Sequence, residues 1–272
     1  MDRTTLLIFV TIALVSSCSR VKQEETSQSS DSGIRVVKEY YPDGSLKSET
    51  EALGQLRHGD SKEYRKNGTL ESVITYENNR KQGKAMNYYP DGKTVKAEVI
   101  YVDGYKHGES KWYYPSGKIY RKTPYVRGVI QGIRSTYYEE GPLQAEIPYL
   151  NGQPGMGLKE YSISGIQKEF KGVIVFREKD MINLDNTFRL SISLSDKNRN
   201  VEFYSGELSE GRFWNEKLTP ITTENGIGIL DFYISRGSYK METINIVAKV
   251  KTSLDNYYII QQKYHLALEN KF

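Results

Sequence analysis

Polar and apolar positions alternate along most of this chain in short runs. Leu70, Ser72, Ile74 and Tyr76 fall on one side of an extended strand, with Glu71, Val73 and Thr75 between them. Leu143, Ala145, Ile147 and Tyr149 do the same, and Gln144 and Glu146 point the other way. A period of two puts one set of a strand's side chains inward. The runs are punctuated by Gly-containing turns, as in Tyr88-Tyr89-Pro90-Asp91-Gly92. Pro presets φ, Asp bonds nearby amides and Gly accepts a left-handed backbone. Such a turn between Tyr- and β-branched-rich runs predicts a β-hairpin. In the unit from Gly83 to Gly108 the pattern predicts strands over 84–89 and 93–101, with 102–107 as the turn into the next unit.

The pattern then repeats. Tyr40-Tyr41-Pro42-Asp43-Gly44 recurs as Tyr88–Gly92 and, less closely, as Tyr113-Tyr114-Pro115-Ser116-Gly117. The turn glycines fall at 44, 68, 92, 117, 141 and 165, a period of 24 residues with a single 25. A fixed period in this range marks a repeat array, whose stability sums over neighbouring units and whose end units are atypical. At the sixth unit the opening glycine slips, with Met156 between Gly155 and Gly157, which predicts a degenerate cap. Of the 22 tyrosines, 16 lie between Tyr40 and Tyr161. The apolar face is thin, so the rings must cover it.

Beyond about Phe170 the turn signature ends. Alternating runs over 172–176, 187–194, 201–204, 226–234, 243–251 and 257–266 predict a β-sandwich, with an immunoglobulin-like arrangement as one option. The fold class is therefore all-β: an elongated hairpin array over 34–169, then a sandwich over 170–272.

The first 33 residues read differently. An apolar run from Leu6 to Val15 is too short to span a bilayer and suits a signal peptide over 1–17. Val15-Ser16-Ser17-Cys18 resembles the lipobox of bacterial lipoproteins. That resemblance implies cleavage before Cys18 and its lipidation, and so a lipid anchor in the cell membrane, the outer one in a Gram-negative cell. Residues 18–33 are rich in Ser, Gln, Glu and Lys and read as a disordered tether.

The repeats resemble the MORN repeat in its bacterial variant, found in the YwqK-type antitoxin family. Tyr88–Gly92 with Lys93, and Tyr105-Lys106-His107-Gly108, carry the likeness. It implies elongated β-hairpin sheets that mediate protein contacts and in some cases lipid contacts. It also brings an antitoxin or immunity role as an alternative.

Composition narrows the chemistry. Residues 31–170 hold 21 basic and 18 acidic side chains, and 171–272 hold 14 and 13. Neither half has the positive field of a nucleic-acid binder. Cys18 is the only cysteine. His58 and His107 occupy the same repeat position, held by Gln82 and Gln131 elsewhere, and read as turn residues. No metal site, cofactor motif or catalytic constellation emerges. An enzyme site in the sandwich stays open only as an alternative. The expectation is a non-enzymatic binding or scaffold protein with a protein or glycan partner. Its candidate contacts are Trp112, the one Trp of the array, and the second tyrosines Tyr89, Tyr114 and Tyr138, since Tyr and Trp suit half-wet contact surfaces.

Overall fold

The computed structural model describes residues 33–271 and the backbone of Thr26–Gln28. The expected signal peptide, the expected lipidation at Cys18 and most of the expected tether lie outside the described residues. Thr26–Gln28 (β1), inside the segment expected to be a tether, pairs with Ile34–Tyr40 (β2).

One antiparallel sheet then runs through the array as a meander. Its hairpins pair β2 with Leu46–Leu53 (β3), Leu56–Tyr64 (β4) with Leu70–Glu77 (β5), and Arg80–Tyr88 (β6) with Val95–Val102 (β7). Tyr105–Lys106 (β8) and Gly108–Tyr113 (β9) lead to Ile119–Val126 (β10), while Val129–Ile130 (β11) and Gly132–Tyr137 (β12) lead to Leu143–Leu150 (β13). Gln153–Pro154 (β14), Lys159–Tyr161 (β15) and Gln167–Lys168 (β16) close it.

Two turn types alternate. The first holds the repeated glycine at positive φ, 68° at Gly92, and its N–H bonds the carbonyl of Tyr89. Asp43 accepts the Ser45 N–H at 3.0 Å and Asp91 the Lys93 N–H at 3.0 Å. The turn acids are thus occupied by the turn itself. The second turn is shorter than the sequence suggests. Asp103-Gly104 alone reverses the chain, both at positive φ, so Tyr105 and Lys106 already belong to a strand. That is the two-residue turn whose twist matches paired strands.

The C-terminal part forms two four-stranded sheets. Ile174–Met181 (β17), a one-turn helix Ile182–Asp185 (α1) and Thr187–Leu194 (β18) precede Val201–Ser205 (β19), Thr219–Ile221 (β20) and Thr223–Glu224 (β21). Ile227–Tyr233 (β22), Tyr239–Lys251 (β23) and Tyr257–Glu269 (β24) complete them. The orders are β17-β18-β22-β21 and β20-β19-β23-β24. Leu190, Ile192, Phe203, Ile246 and Val250 meet between the sheets, each at most 1% exposed.

The array and the sandwich are stitched together where the repeat slips. Gly155 bridges to Phe213, the Met156 N–H bonds Arg212 O at 2.9 Å, and the Trp214 N–H bonds Pro154 O at 2.9 Å. Buried Glu160 accepts from Thr252 Oγ1 at 2.7 Å and Asn256 Nδ2 at 2.8 Å. The broken unit is therefore the docking element for the 209–214 loop.

Candidate functional site

The second residue of each tyrosine pair reaches across to the next unit. The hydroxyls of Tyr41, Tyr89, Tyr114 and Tyr138 donate to the carbonyls of Tyr64, Tyr113, Tyr137 and Tyr161, at 2.6 to 2.8 Å. Arg65 takes that place in the second unit, with Nη2 on Tyr88 O at 2.7 Å and Nη1 on Tyr89 O at 3.2 Å. Tyr89, Tyr114 and Tyr138, the sequence's candidates for contact with a partner, therefore spend their hydroxyls inside the array. Both tyrosines of each pair are half-buried, whereas Tyr105 is 60% exposed.

These phenols also set an alkaline limit. Burial, then the hydrogen bond to Glu49, raises Tyr64 above 10, and burial does the same to Tyr113 and Tyr114. In the sandwich, burial and the bond to Glu202 push Tyr204 up to about 12. A group raised in the fold favours it while protonated, so its contribution is complete below pH 10, the unfolded value, and is lost as the pH rises through the folded one. We expect urea midpoints to stay level up to about pH 10 and to fall between about 10 and 12. Following phenolate absorbance with the melt checks it, and a decline complete below pH 9 contradicts it.

Trp112 lies on the sheet face whose middle is built of small residues. In register across the strands, Ala97 faces Trp112, Trp112 faces Arg121 and Arg121 faces Thr136. One row further, Ser110 faces Thr123, and Arg134 faces Ile147. The Arg121 guanidinium lies 4.2 Å from the Trp112 ring centre, and that of Arg134 4.9 Å from Tyr149. Such stacking occupies the ring faces. Ser110 and Thr123 are at most 1% exposed and Thr136 is 9%. Yet their hydroxyls, and Nε of both arginines, have no hydrogen-bond partner. A buried polar atom left unpaired costs about 1–3 kcal/mol, so these five make the face locally costly, and being sealed they offer nothing to a group arriving from outside.

This face runs into a cavity of about 360 Å³ at the junction, with Arg134, Tyr149, Trp214, Lys249, Asn256 and Tyr257 in its wall. The Lys249 ammonium sits 5.3 Å from the Trp214 ring and 4.4 Å from Tyr257. Asp255 also lines the cavity, paired with Lys251 at 2.7 Å, and Lys249 lies 3.7 Å from Glu202, which leaves, among the described residues, the Arg134 guanidinium as the cation free to meet an acidic group between aromatic walls. Of the sequence's candidates only Trp112 belongs to this face. Arg121 and Arg134 were hidden because their spacing matches no motif. Trp214 was hidden because it sits in a loop outside the repeat, although it is the chain's second tryptophan.

Gln82 Oε1 and Gln131 Oε1 accept the N–H groups of Asp103 and Asn151 in the following turns. The position shared with His58 and His107 is in these two units a turn-to-turn stitch. No group of three or more His, Cys, Asp or Glu among the described residues is placed to hold a metal.

The sequence pattern of the MORN repeat variant matches residues 36–51, 57–78, 106–127 and 130–151. The hairpin between the second and third matches is the one whose turn is longer by a residue, with the Tyr89 N–H bonding Thr94 O where the neighbouring units bond one residue earlier. No curated protein matches the chain. The array is therefore built of MORN-variant repeats, and such repeats carry a binding or scaffold role in general.

Proposed function

We propose that this MORN-variant array is the binding module of a non-enzymatic lipoprotein of the bacterial cell envelope, anchored at Cys18. Its partner is an acidic protein segment or acidic glycan, held along Trp112, Arg121 and Arg134 and into the junction pocket. The observation that carries this reading is the pair of half-buried guanidiniums, Arg121 over Trp112 and Arg134 over Tyr149, neither with a carboxylate partner among the described residues. Two ring-stacked cations with no internal counter-charge support an acidic partner. The lipobox-like Val15-Ser16-Ser17-Cys18 supports the anchor.

Crosslinking of the intact protein in envelope fractions tests the surface. Trp112→Ala and Arg134→Met are expected to lose the crosslinked partner, with affinity down by about tenfold or more for each. The exposed Tyr105→Ala should leave it in place. Unchanged partners in the first two variants would remove the surface assignment. Palmitate labelling with a Cys18→Ser control tests the anchor separately.

A further inference from the structure

The outer face of the first sandwich sheet carries a cradle of its own. Alternation along β18 sends Leu190, Ile192 and Leu194 into the core and leaves Ser191 and Ser193 outward. Arg177 stands opposite Ser191 and Val175 opposite Ser193 on β17. The 195–199 loop brings Lys197 and Arg199, and the turn at Asn225-Gly226 closes the other side. Together they bound a cavity of about 580 Å³ whose lining holds three cations and no carboxylate.

Several cations of the sandwich sit beside carboxylates, while others among the described residues, such as Lys179, Arg236 and Lys263, stand singly outside this cavity. Arg189 pairs with Asp231 at 2.6 Å, Lys251 with Asp255 at 2.7 Å and Lys240 with Glu242 at 3.2 Å. Among the described residues Arg177, Lys197 and Arg199 have no such partner, and the hydroxyls of Ser191 and Ser193 have no hydrogen bond. The loop's own acid is turned away: Asp196 accepts the Asn198 N–H at 3.1 Å, and its other oxygen faces Gly172. Three like charges gathered without counter-charge repel one another, an arrangement an anion relieves.

We propose that this cradle binds a phosphate-bearing anion, with Ser191 and Ser193 donating to its oxygens and Arg177, Lys197 and Arg199 balancing its charge. Two serines two apart on a strand stand about 6.8 Å apart. One tetrahedral oxyanion spans that gap by accepting a bond of about 2.7 Å from each. The rim is apolar: Val175 is 37% and Ile227 44% exposed, with Val173 and Ile229 beside them at 55% and 38%. A phosphate attached to an acyl chain, the headgroup of a phospholipid, would satisfy both halves; a soluble phosphate would satisfy the first. The inference does not depend on the array.

The test uses the full chain carrying Cys18→Ser, so that no lipid anchor contributes, and compares every variant with that parent. The probes are phosphatidylglycerol vesicles, phosphatidylcholine vesicles and inorganic phosphate. Binding to phosphatidylglycerol vesicles should weaken about fivefold for Arg177→Gln or Arg199→Gln, and inorganic phosphate should compete. Ser191→Ala with Ser193→Ala keeps every charge and should weaken phosphate binding about tenfold, with the melting curve showing that the fold persists. Phosphate bound one to one without vesicle binding supports the site and assigns it a soluble ligand. No binding of either probe overturns the proposal. So does equal weakening by Lys62→Gln, a charge on the array far from the cradle.

Discussion

Replacing the four clamping tyrosines together, Tyr41→Phe, Tyr89→Phe, Tyr114→Phe and Tyr138→Phe, is expected to cost the array about 4 kcal/mol, roughly 1 kcal/mol for each lost hydrogen bond. Each hydroxyl is on a carbonyl of the following unit, 23 or 24 residues away. The clamps therefore act between neighbours, the term that sets the stability of a repeat array. They lie in separate units, so their effects should nearly add. Phenylalanine keeps the ring and its packing, which isolates the hydroxyl. Hydrogen exchange resolved by segment is the measurement. Amides of β4 to β13 should lose protection while those of β18 and β23 keep theirs, because Leu190, Ile246 and the rest of the sandwich core do not touch the clamps. Unchanged protection across the array would mean that water replaces the bonds at no cost.

That network explains a limit of reading the sequence. The first tyrosine of each pair, the turn and the 24-residue period were legible because each follows from local rules: alternation, a left-handed glycine, an Asp that bonds its own turn. The role of the second tyrosine is a contact between units, and nothing within one unit reveals it. Val247 shows the same limit. Alternation on β23 puts Ile246, Ala248 and Val250 inward and assigns Val247 to solvent, yet it is 0% exposed. It packs with Leu208, Leu218 and Ile259, with Met156 of the array against them. A sheet covered on both faces loses its polar side, and only the docking of the array and the 206–218 loop makes that so. The slip at Met156 looked like decay of the repeat for the same reason. There Gly155 and Met156 pair with Phe213 and Arg212 of a loop more than 50 residues away.

Glu160→Ala should separate the two halves of the molecule. Glu160 is 2% exposed in β15 and lies opposite Ala145 in the sheet. It accepts from Thr252 and Asn256 in the turn between β23 and β24. Hydrogen bonds to a charged group contribute about 1.5–3 kcal/mol each. Removing the acceptor takes both and leaves the Asn256 amide unsatisfied in the wall of the junction pocket, so the expected cost is about 3–5 kcal/mol. The loss falls at the junction, so the array and the sandwich should then unfold in two transitions, the array first because its buried residues are small. Glu160→Gln keeps an acceptor oxygen and should cost about 1 kcal/mol with the transitions still joined. Calorimetry distinguishes the outcomes. It also bears on the binding face, because Arg134 and Asn256 share the pocket. If the pocket holds the partner, Glu160→Ala must weaken capture even though Glu160 itself is sealed from solvent. A variant that unfolds in one transition at the parental temperature would show that the 154–156 hydrogen bonds and the packing of Met156 join the halves without Glu160.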